Sequence, residues 1–142
     1  MDIKRVMQVS FSRLHARVWR LGKGRVGGSI RGGPILLLGT TGRSSGKPRQ
    51  LPLLYVEDGA NVVVVASNGG APEHPAWFKN LLANPAATAT TRAGVRMVTA
   101  RLADEAERER LWPRLDAMYP TYKDYRAMTD RQIPIVILEP RA

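Results

Sequence analysis

The sequence predicts a mainly β domain of the α+β class, a six-stranded antiparallel barrel with helices packed outside. Three observations carry this prediction. Apolar runs of strand length recur over residues 35–40, 49–57, 61–67, 88–91, 95–102 and 133–138. Turn signals, Asp58-Gly59, Asn68-Gly69-Gly70 and Ala93-Gly94, follow or separate them. Helical patterns are few and short, and a small sheet that lacks covering helices on both faces protects its edges by curling into a barrel.

The elements follow in order. Ile3, Met7, Phe11, Leu14, Val18 and Leu21 step by three or four residues, one stripe of a helix over 1–22. Lys4, Arg5, Arg13, Arg17 and Arg20 lie off that stripe. Such a helix either lies in an anionic membrane interface or packs its stripe on the protein's own sheet. Residues 22–33 are glycine-rich and aperiodic and read as a linker, so the division is 1–31 and 32–142. The strand over 35–40 is central. Pro52 has no N–H for a ladder and places the strand over 49–57 at an edge or bulge. Val62 to Val65 are four valines in succession, the mark of a strand buried on both faces. Pro75 opens a short helix that Asn84-Pro85 ends. Asp104 with Glu107 three residues on is a capping box. Pro113 is expected to kink or restart the helix that follows. Pro120 starts the next helix, and residues 133–138 close the sheet.

Charge separates the two parts. Residues 1–50 hold 11 Lys and Arg against one acid, while residues 51–142 hold 11 of each. The net charge of +10 therefore lies in the first third and favours an anionic partner there: headgroups, nucleic acid or a phosphorylated ligand. The chain has no cysteine and only His15 and His74, which excludes disulfides, thiolate chemistry and a histidine-rich metal site. No apolar run reaches membrane-spanning length and no signal peptide is visible, so a cytoplasmic protein is expected.

Gly42 to Arg49 read Gly-Arg-Ser-Ser-Gly-Lys-Pro-Arg between two predicted strands. Hydroxyls and three cations within seven residues suit either an anion cradle or a solvated hairpin loop. The loop is not a Walker A motif, and no nucleophile–base pair or paired carboxylates stand out. Tyr119, Tyr122 and Tyr125, three apart, share one helical face. They make either a plain core face or an aromatic wall over a flat ring. A chain without catalytic side chains but with such a pocket points to cofactor chemistry, in which the protein supplies binding and orientation.

Several blocks resemble the deazaflavin-dependent nitroreductase family, whose members use coenzyme F420. They are Leu38-Gly39-Thr40-Thr41-Gly42-Arg43-Ser44-Ser45-Gly46-Lys47-Pro48-Arg49, Pro52-Leu53-Leu54-Tyr55, Val65-Ala66-Ser67-Asn68-Gly69-Gly70, Pro75-Ala76-Trp77-Phe78, Met118-Tyr119-Pro120-Thr121-Tyr122-Lys123-Asp124-Tyr125 and Thr129-Asp130-Arg131-Gln132-Ile133-Pro134. The resemblance implies a split β-barrel of the FMN-binding type. It also implies hydride transfer from reduced F420, an 8-hydroxy-5-deazaflavin, to quinones, nitroaromatics or other electron-poor conjugated acceptors.

By position, Arg43, Ser44, Ser45, Lys47 and Arg49 would hold the phosphate and acidic tail. Pro52, Val65, Ala66, Ser67, Asn68, Gly70 and Trp77 would line the deazaflavin. Leu54, Tyr55, Tyr119, Tyr122 and Tyr125 would face the substrate, with a hydroxyl of the last three, or a water, as the proton source. The basic N-terminus is similar to the family's, which implies peripheral membrane contact at the inner face. Ser44 stands where relatives often carry a basic residue, Asn68 where they often carry Lys, and Leu54 where some carry Tyr. A contact to a charged group is worth about 1.5–3 kcal/mol, so each lost cation weakens cofactor binding about tenfold or more. An FMN-dependent split-barrel enzyme and a non-enzymatic membrane- or nucleic-acid-binding module are the competing readings.

Overall fold

The computed structural model describes residues 29–30 and 33–141. The expected N-terminal helix, and all of the linker except Ser29, Ile30 and Gly33, lie outside the described residues. The strands are β1 (Ser29–Ile30), β2 (Gly33–Thr41), β3 (Pro48–Leu54), β4 (Val56–Asp58), β5 (Asn61–Val65), β6 (Ala86–Thr91), β7 (Gly94–Leu102) and β8 (Ile135–Pro140). The helices are α1 (Ala76–Ala83), α2 (Glu105–Met118) and α3 (Thr121–Met128), and a short 3-10 turn covers Asn68–Gly70. Among the described residues the fold is thus mainly β, with all ladders antiparallel.

The sheet runs β3-β2-β6-β7-β8-β5-β4, with β1 against the start of β2. Six strands were expected; eight are described. The expected strand over 49–57 is two, because Tyr55 leaves both ladders and its amide donates to the Pro34 carbonyl at 3.2 Å. β3 then pairs with β2 and β4 with β5. No ladder among the described residues joins β3 to β4; the two ends of the sheet are linked by the chain through Tyr55 and by side-chain packing, Leu51 and Leu53 of β3 against the core that holds Val62 and Val64 of β5. Pro52 sits on β3, an end strand of this path, where its missing N–H costs no central ladder bond.

β5 has no solvent face: Val62, Val63, Val64 and Val65 are all buried. Val62 and Val64 join Leu36, Leu38, Val136 and Leu138 in a core on the concave side, into which α1 sends Trp77, Phe78 and Leu81. Val63 and Val65 join Ile135 and Ile137 on the other side, beneath Leu111 and Leu115 of α2 and Tyr122 of α3. Burying such aliphatic side chains on both faces is worth about 1.5–3 kcal/mol per residue.

The caps hold locally. The Asp104 carboxylate accepts from the Glu107 amide at 2.8 Å, and the Glu107 carboxylate accepts from the Asp104 amide at 3.0 Å. Hydrogen bonds from Arg101, then from the Asp104 amide, bring the Glu107 carboxyl down to about 2. Of the two expected effects of Pro113, a restart does not occur: α2 runs through it to Met118. Pro113 lies on its exposed face, where water can satisfy the carbonyl one turn back.

β2 and β6 approach closely at Gly39, opposite Thr88. A Cβ at Gly39 would stand 2.2 Å from the Thr88 hydroxyl oxygen but 3.6 Å from its Cβ. Gly39→Ala is therefore expected to destabilise the protein by about 1–3 kcal/mol. Most of that loss is expected to vanish in a Thr88→Ala background, where only ordinary contacts remain. Urea melts of the four proteins in the cycle check this, and an equal loss in both backgrounds would refute the steric account.

Candidate functional site

The basic loop is a closed turn. The Gly42 amide donates to the Lys47 carbonyl and the Gly46 amide to the Gly42 carbonyl, both at 2.8 Å. Gly46 takes φ +69°, which a side chain would resist. The Ser45 hydroxyl accepts from the Lys47 amide at 3.2 Å and lies 3.4 Å from the Arg49 guanidinium. Ser44 and Lys47 are exposed.

Asn80 fixes this loop to the sheet. It is a buried polar residue on an otherwise apolar face of α1. Its side-chain oxygen accepts from the Arg43 amide at 3.1 Å and from the Arg43 guanidinium at 2.9 Å. Its amide group donates to the Thr40 hydroxyl at 3.4 Å. The guanidinium of Arg43 thus leans on α1, while Lys47 is exposed and Arg49, on β3, lies half-buried beside Ser45.

Electrostatics separate this loop from the rest. Asp58 pairs with Arg110 and Arg114, Asp116 with Arg126, and Glu107 and Glu139 with Arg101. Among the described residues, Arg43, Lys47 and Arg49 form no ion pair with a carboxylate. Beside them a cleft of about 280 Å³ opens between Thr41, Arg49, Gln50, Thr88 and Arg141, floored by Gly39.

The second glycine turn follows β5. Ser67 is right-handed helical at φ −74°, ψ −33°, and Asn68, Gly69 and Gly70 all take positive φ, at 48°, 63° and 80°. Gly70 packs against α3: a Cβ there would lie 3.2 Å from both the Tyr125 Cα and the Met128 side chain. Arg131 clasps the turn from behind. Its guanidinium donates to the carbonyls of Ala71 at 2.9 Å, Ser67 at 2.7 Å and Ala66 at 3.3 Å, and to His74 Nδ1 at 3.0 Å. His74 leans on Phe78 of α1, with ring centroids 4.9 Å apart. Burial, then the positive charges of Arg131 and Lys79, push the His74 pKa below its ordinary value.

The tyrosines assemble beside this turn. Tyr119 and Tyr125 share a hydroxyl–hydroxyl hydrogen bond of 3.2 Å. Tyr122 meets Tyr119 edge-on at 4.9 Å and Trp112 at 6.3 Å. Burial pushes the Tyr122 hydroxyl up, and the neighbouring Tyr119 and Tyr125 add to the shift. Leu54 packs against this group and against Ile35 and Leu37 on β2.

The structure therefore brings Leu54, Tyr119, Tyr122 and Tyr125 together, with Gly70 against α3; Tyr119 caps the end of α2 and does not share the helix of Tyr122 and Tyr125, contrary to the expected single helical face. Tyr122 and Tyr119 are largely core, and Tyr125 is the half-buried member. Tyr55 turns the other way and packs on the concave core, as does the buried Trp77. Val65 and Ala66 are buried, Ser67, Pro52 and Arg49 half-buried, and Asn68 exposed with its amide group donating to the Glu73 carbonyl at 3.0 Å. Asn80 and Arg131 were not singled out from the sequence. An uncharged polar residue inside the apolar helix Ala-Trp-Phe-Lys-Asn-Leu-Leu-Ala was the available signal for Asn80.

A family model described as F420H(2)-dependent quinone reductase matches residues 11–140. An F420H(2)-dependent quinone reductase of Mycobacterium tuberculosis (strain ATCC 25618 / H37Rv) is 37% identical over 149 residues, covering 99% of this chain and all of that protein. A solved F420-H2 dependent reductase, FDR-A, is 43% identical, with a TM-score of 0.69 over 75% of this chain and 94% of its own. A second solved structure, described as a domain-swapped dimer, is 37% identical, with a TM-score of 0.71 over 89% of this chain and 96% of its own.

Two predictions follow from the clasp and the anchor. Because the His74 pKa is depressed, the unfolded state binds more protons over the window just below pH 6.5. The stability gained from neutral His74 is present above that value and is lost as pH falls through the folded pKa. His74→Asn keeps an acceptor near the Nδ1 position and does not titrate, so its urea midpoint should fall less than wild type's between pH 7.5 and 5. Asn80→Leu strands the Arg43 amide and should cost about 1–3 kcal/mol, with faster hydrogen exchange across residues 42–47.

Proposed function

The chain belongs to the F420H(2)-dependent quinone reductase family, and on that premise we propose that it reduces quinones with F420H2 at the site between the basic loop and the tyrosines. The observation that carries the placement is the conjunction of unpaired cations at one end with a tyrosine group at the other, both tied to α1 and its preceding turn. The cations fit a phosphate and an acidic tail, which Arg49 and Lys47 would grip along with the hydroxyls of Ser44 and Ser45. The residues present fit the deazaflavin as well: a flat ring needs an apolar strand face, which Pro52 and Leu54 supply, and polar groups at one edge, which the turn over 67–70 supplies. Reduced F420, when bound, supplies a hydride.

What remains for the protein is a proton. Tyr122 is held protonated by its surroundings, which makes it a poor acid. The Tyr119–Tyr125 hydroxyl pair is the better donor, because the bond between them stabilises whichever oxygen gives up its proton. Leu54 and the tyrosine rings would face the acceptor and keep water from it. Nitroaromatics and other conjugated acceptors belong to the same proposal, since the wall selects flatness and low electron density. The sheet is read as a split β-barrel whose six main strands are β2, β3, β5, β6, β7 and β8. Residues 1–31 are read as a peripheral contact with anionic membrane, on the strength of their charge and stripe.

Titration with reduced F420, FMN and NADPH in parallel, followed by tryptophan fluorescence and then menadione, tests the reading. Binding and turnover are expected with reduced F420 alone; FMN alone would overturn the cofactor and leave the fold. Arg49→Ala should raise the Kd for F420 about tenfold or more, and an unchanged Kd would move the tail site elsewhere. In the full chain, Arg13→Gln, Arg17→Gln and Arg20→Gln together should weaken binding to anionic vesicles without changing turnover of menadione. Unchanged vesicle binding would sink the membrane contact.

A further inference from the structure

We propose that Arg131 is a positioning residue for the cofactor: it turns the amides of Ser67 and Asn68 outward, with that of Gly69, as a nest for an electron-rich carbonyl oxygen. This deepens the proposed function and rests on its placement of the deazaflavin. The argument begins with the peptide plane. In a trans peptide the carbonyl and the amide point in opposite directions. Among the described residues no peptide bond is cis. Ala66 C=O shares a plane with Ser67 N–H, and Ser67 C=O shares one with Asn68 N–H. Arg131 binds both of those carbonyls. Both amides must therefore face away from it.

The amides have no hydrogen-bond partner there. The Gly70 amide is spent on the Ser67 carbonyl and that of Ala71 on the Asn68 carbonyl, while Ala66 donates to Pro134. Among the described residues the amides of Ser67, Asn68 and Gly69 find no acceptor. Ser67 in the right-handed and Asn68 in the left-handed helical region are the pair of conformations that gathers three successive amides into one concavity. Such a concavity takes an anion or a carbonyl oxygen. The turn abuts α3 through Gly70, at the tyrosine end of the site rather than at the cation loop.

A lysine cannot replace this arginine. Only the planar fork reaches three carbonyls and the His74 nitrogen at once. Losing the fork leaves the Ala66 carbonyl without a donor and the Ser67 carbonyl with the Gly70 amide alone, which loosens both peptide planes and the amides that share them.

Two sources can supply the oxygen: the dione edge of the deazaflavin, which the proposal names, or the quinone. Ser67→Pro separates them with little risk to the fold, because the Ser67 φ of −74° is a proline angle and its amide has no protein acceptor. Expected results are a Kd for F420, read by tryptophan fluorescence without any quinone, raised about tenfold in both Ser67→Pro and Arg131→Lys. The urea midpoint of Ser67→Pro should stay at or above wild type's. The KM for menadione should not move in Ser67→Pro. As a control, Arg108→Lys alters an arginine that donates to the Ile133 carbonyl at 3.0 Å away from the turn, and should leave the F420 Kd unchanged. An unchanged F420 Kd in folded Ser67→Pro would overturn the proposal, as would a shift confined to the menadione KM. If wild type itself fails to bind F420, the underlying reading of the site has failed instead.

Discussion

A strand with no solvent face must be covered twice, and β5 sets that demand. Val62 and Val64 require the concave core, which α1 completes with Trp77, Phe78 and Leu81. Val63 and Val65 require a second layer, which α2 and α3 supply with Leu111, Leu115 and Tyr122. The tyrosines are therefore where they are because a valine strand needs a roof. Their ring faces belong largely to that roof, and Tyr125, at its margin, is the member left half open. Stability and function share these residues, and the same burial that holds Tyr122 in place also raises its pKa.

The end of β5 poses the opposite problem. At Ala66 the strand stops, yet the backbone remains inside the protein, and carbonyls that have left the ladder must still find donors. A guanidinium solves this with one side chain. Arg131 comes from the loop before β8, the strand paired with β5, so the distance is short although 64 residues separate Arg131 from Ser67. Burial lowers its pKa, but an arginine remains charged, and carbonyl dipoles with neutral His74 stand in for a counter-ion. A carboxylate in that role would have neutralised the turn for any electron-rich ligand. Arg131 satisfies the carbonyls without doing so.

How far the sequence disclosed this depends on the range of each interaction. Local signals held: the four valines, the Asp104–Glu107 capping box, Pro75 ahead of α1, and Gly59 and Gly94 at hairpin turns with positive φ. That the helix does not restart at Pro113 is not legible, because the sequence does not reveal that its side of α2 faces water. The run over 49–57 reads as one strand because nothing local marks Tyr55; what divides it is the Pro34 carbonyl, a partner 21 residues away. Asn80 and Arg131 were passed over for the same reason. Asn80 acts on Arg43 and Thr40, and Arg131 on Ala66, Ser67, Ala71 and His74. No periodicity or motif spacing encodes such contacts. The residue blocks that announced the family did include Arg131, but a block shows that a residue is present and not what it touches.

The division of charge now has a structural reading. In the described part after residue 50, five arginines are matched to carboxylates: Arg96 to Glu57, Arg110 and Arg114 to Asp58, Arg126 to Asp116 and over the Trp112 ring at 3.9 Å, and Arg101 to Glu107 and Glu139. Exposed pairs of this kind add little stability, but each cancels charge locally. Arg43, Lys47 and Arg49, close together in sequence, form no ion pair with a carboxylate among the described residues. Arg43 is partly spent on Asn80, so the charge available to an anion is concentrated at the outer end of the loop. On the proposed placement, a ligand that is anionic at one end and flat at the other would be oriented before any close contact forms: the cations would draw in the charged end, and the amide turn and tyrosines would accept the ring. Orientation of this kind is what an enzyme contributes when the reactive carbon belongs to its cofactor.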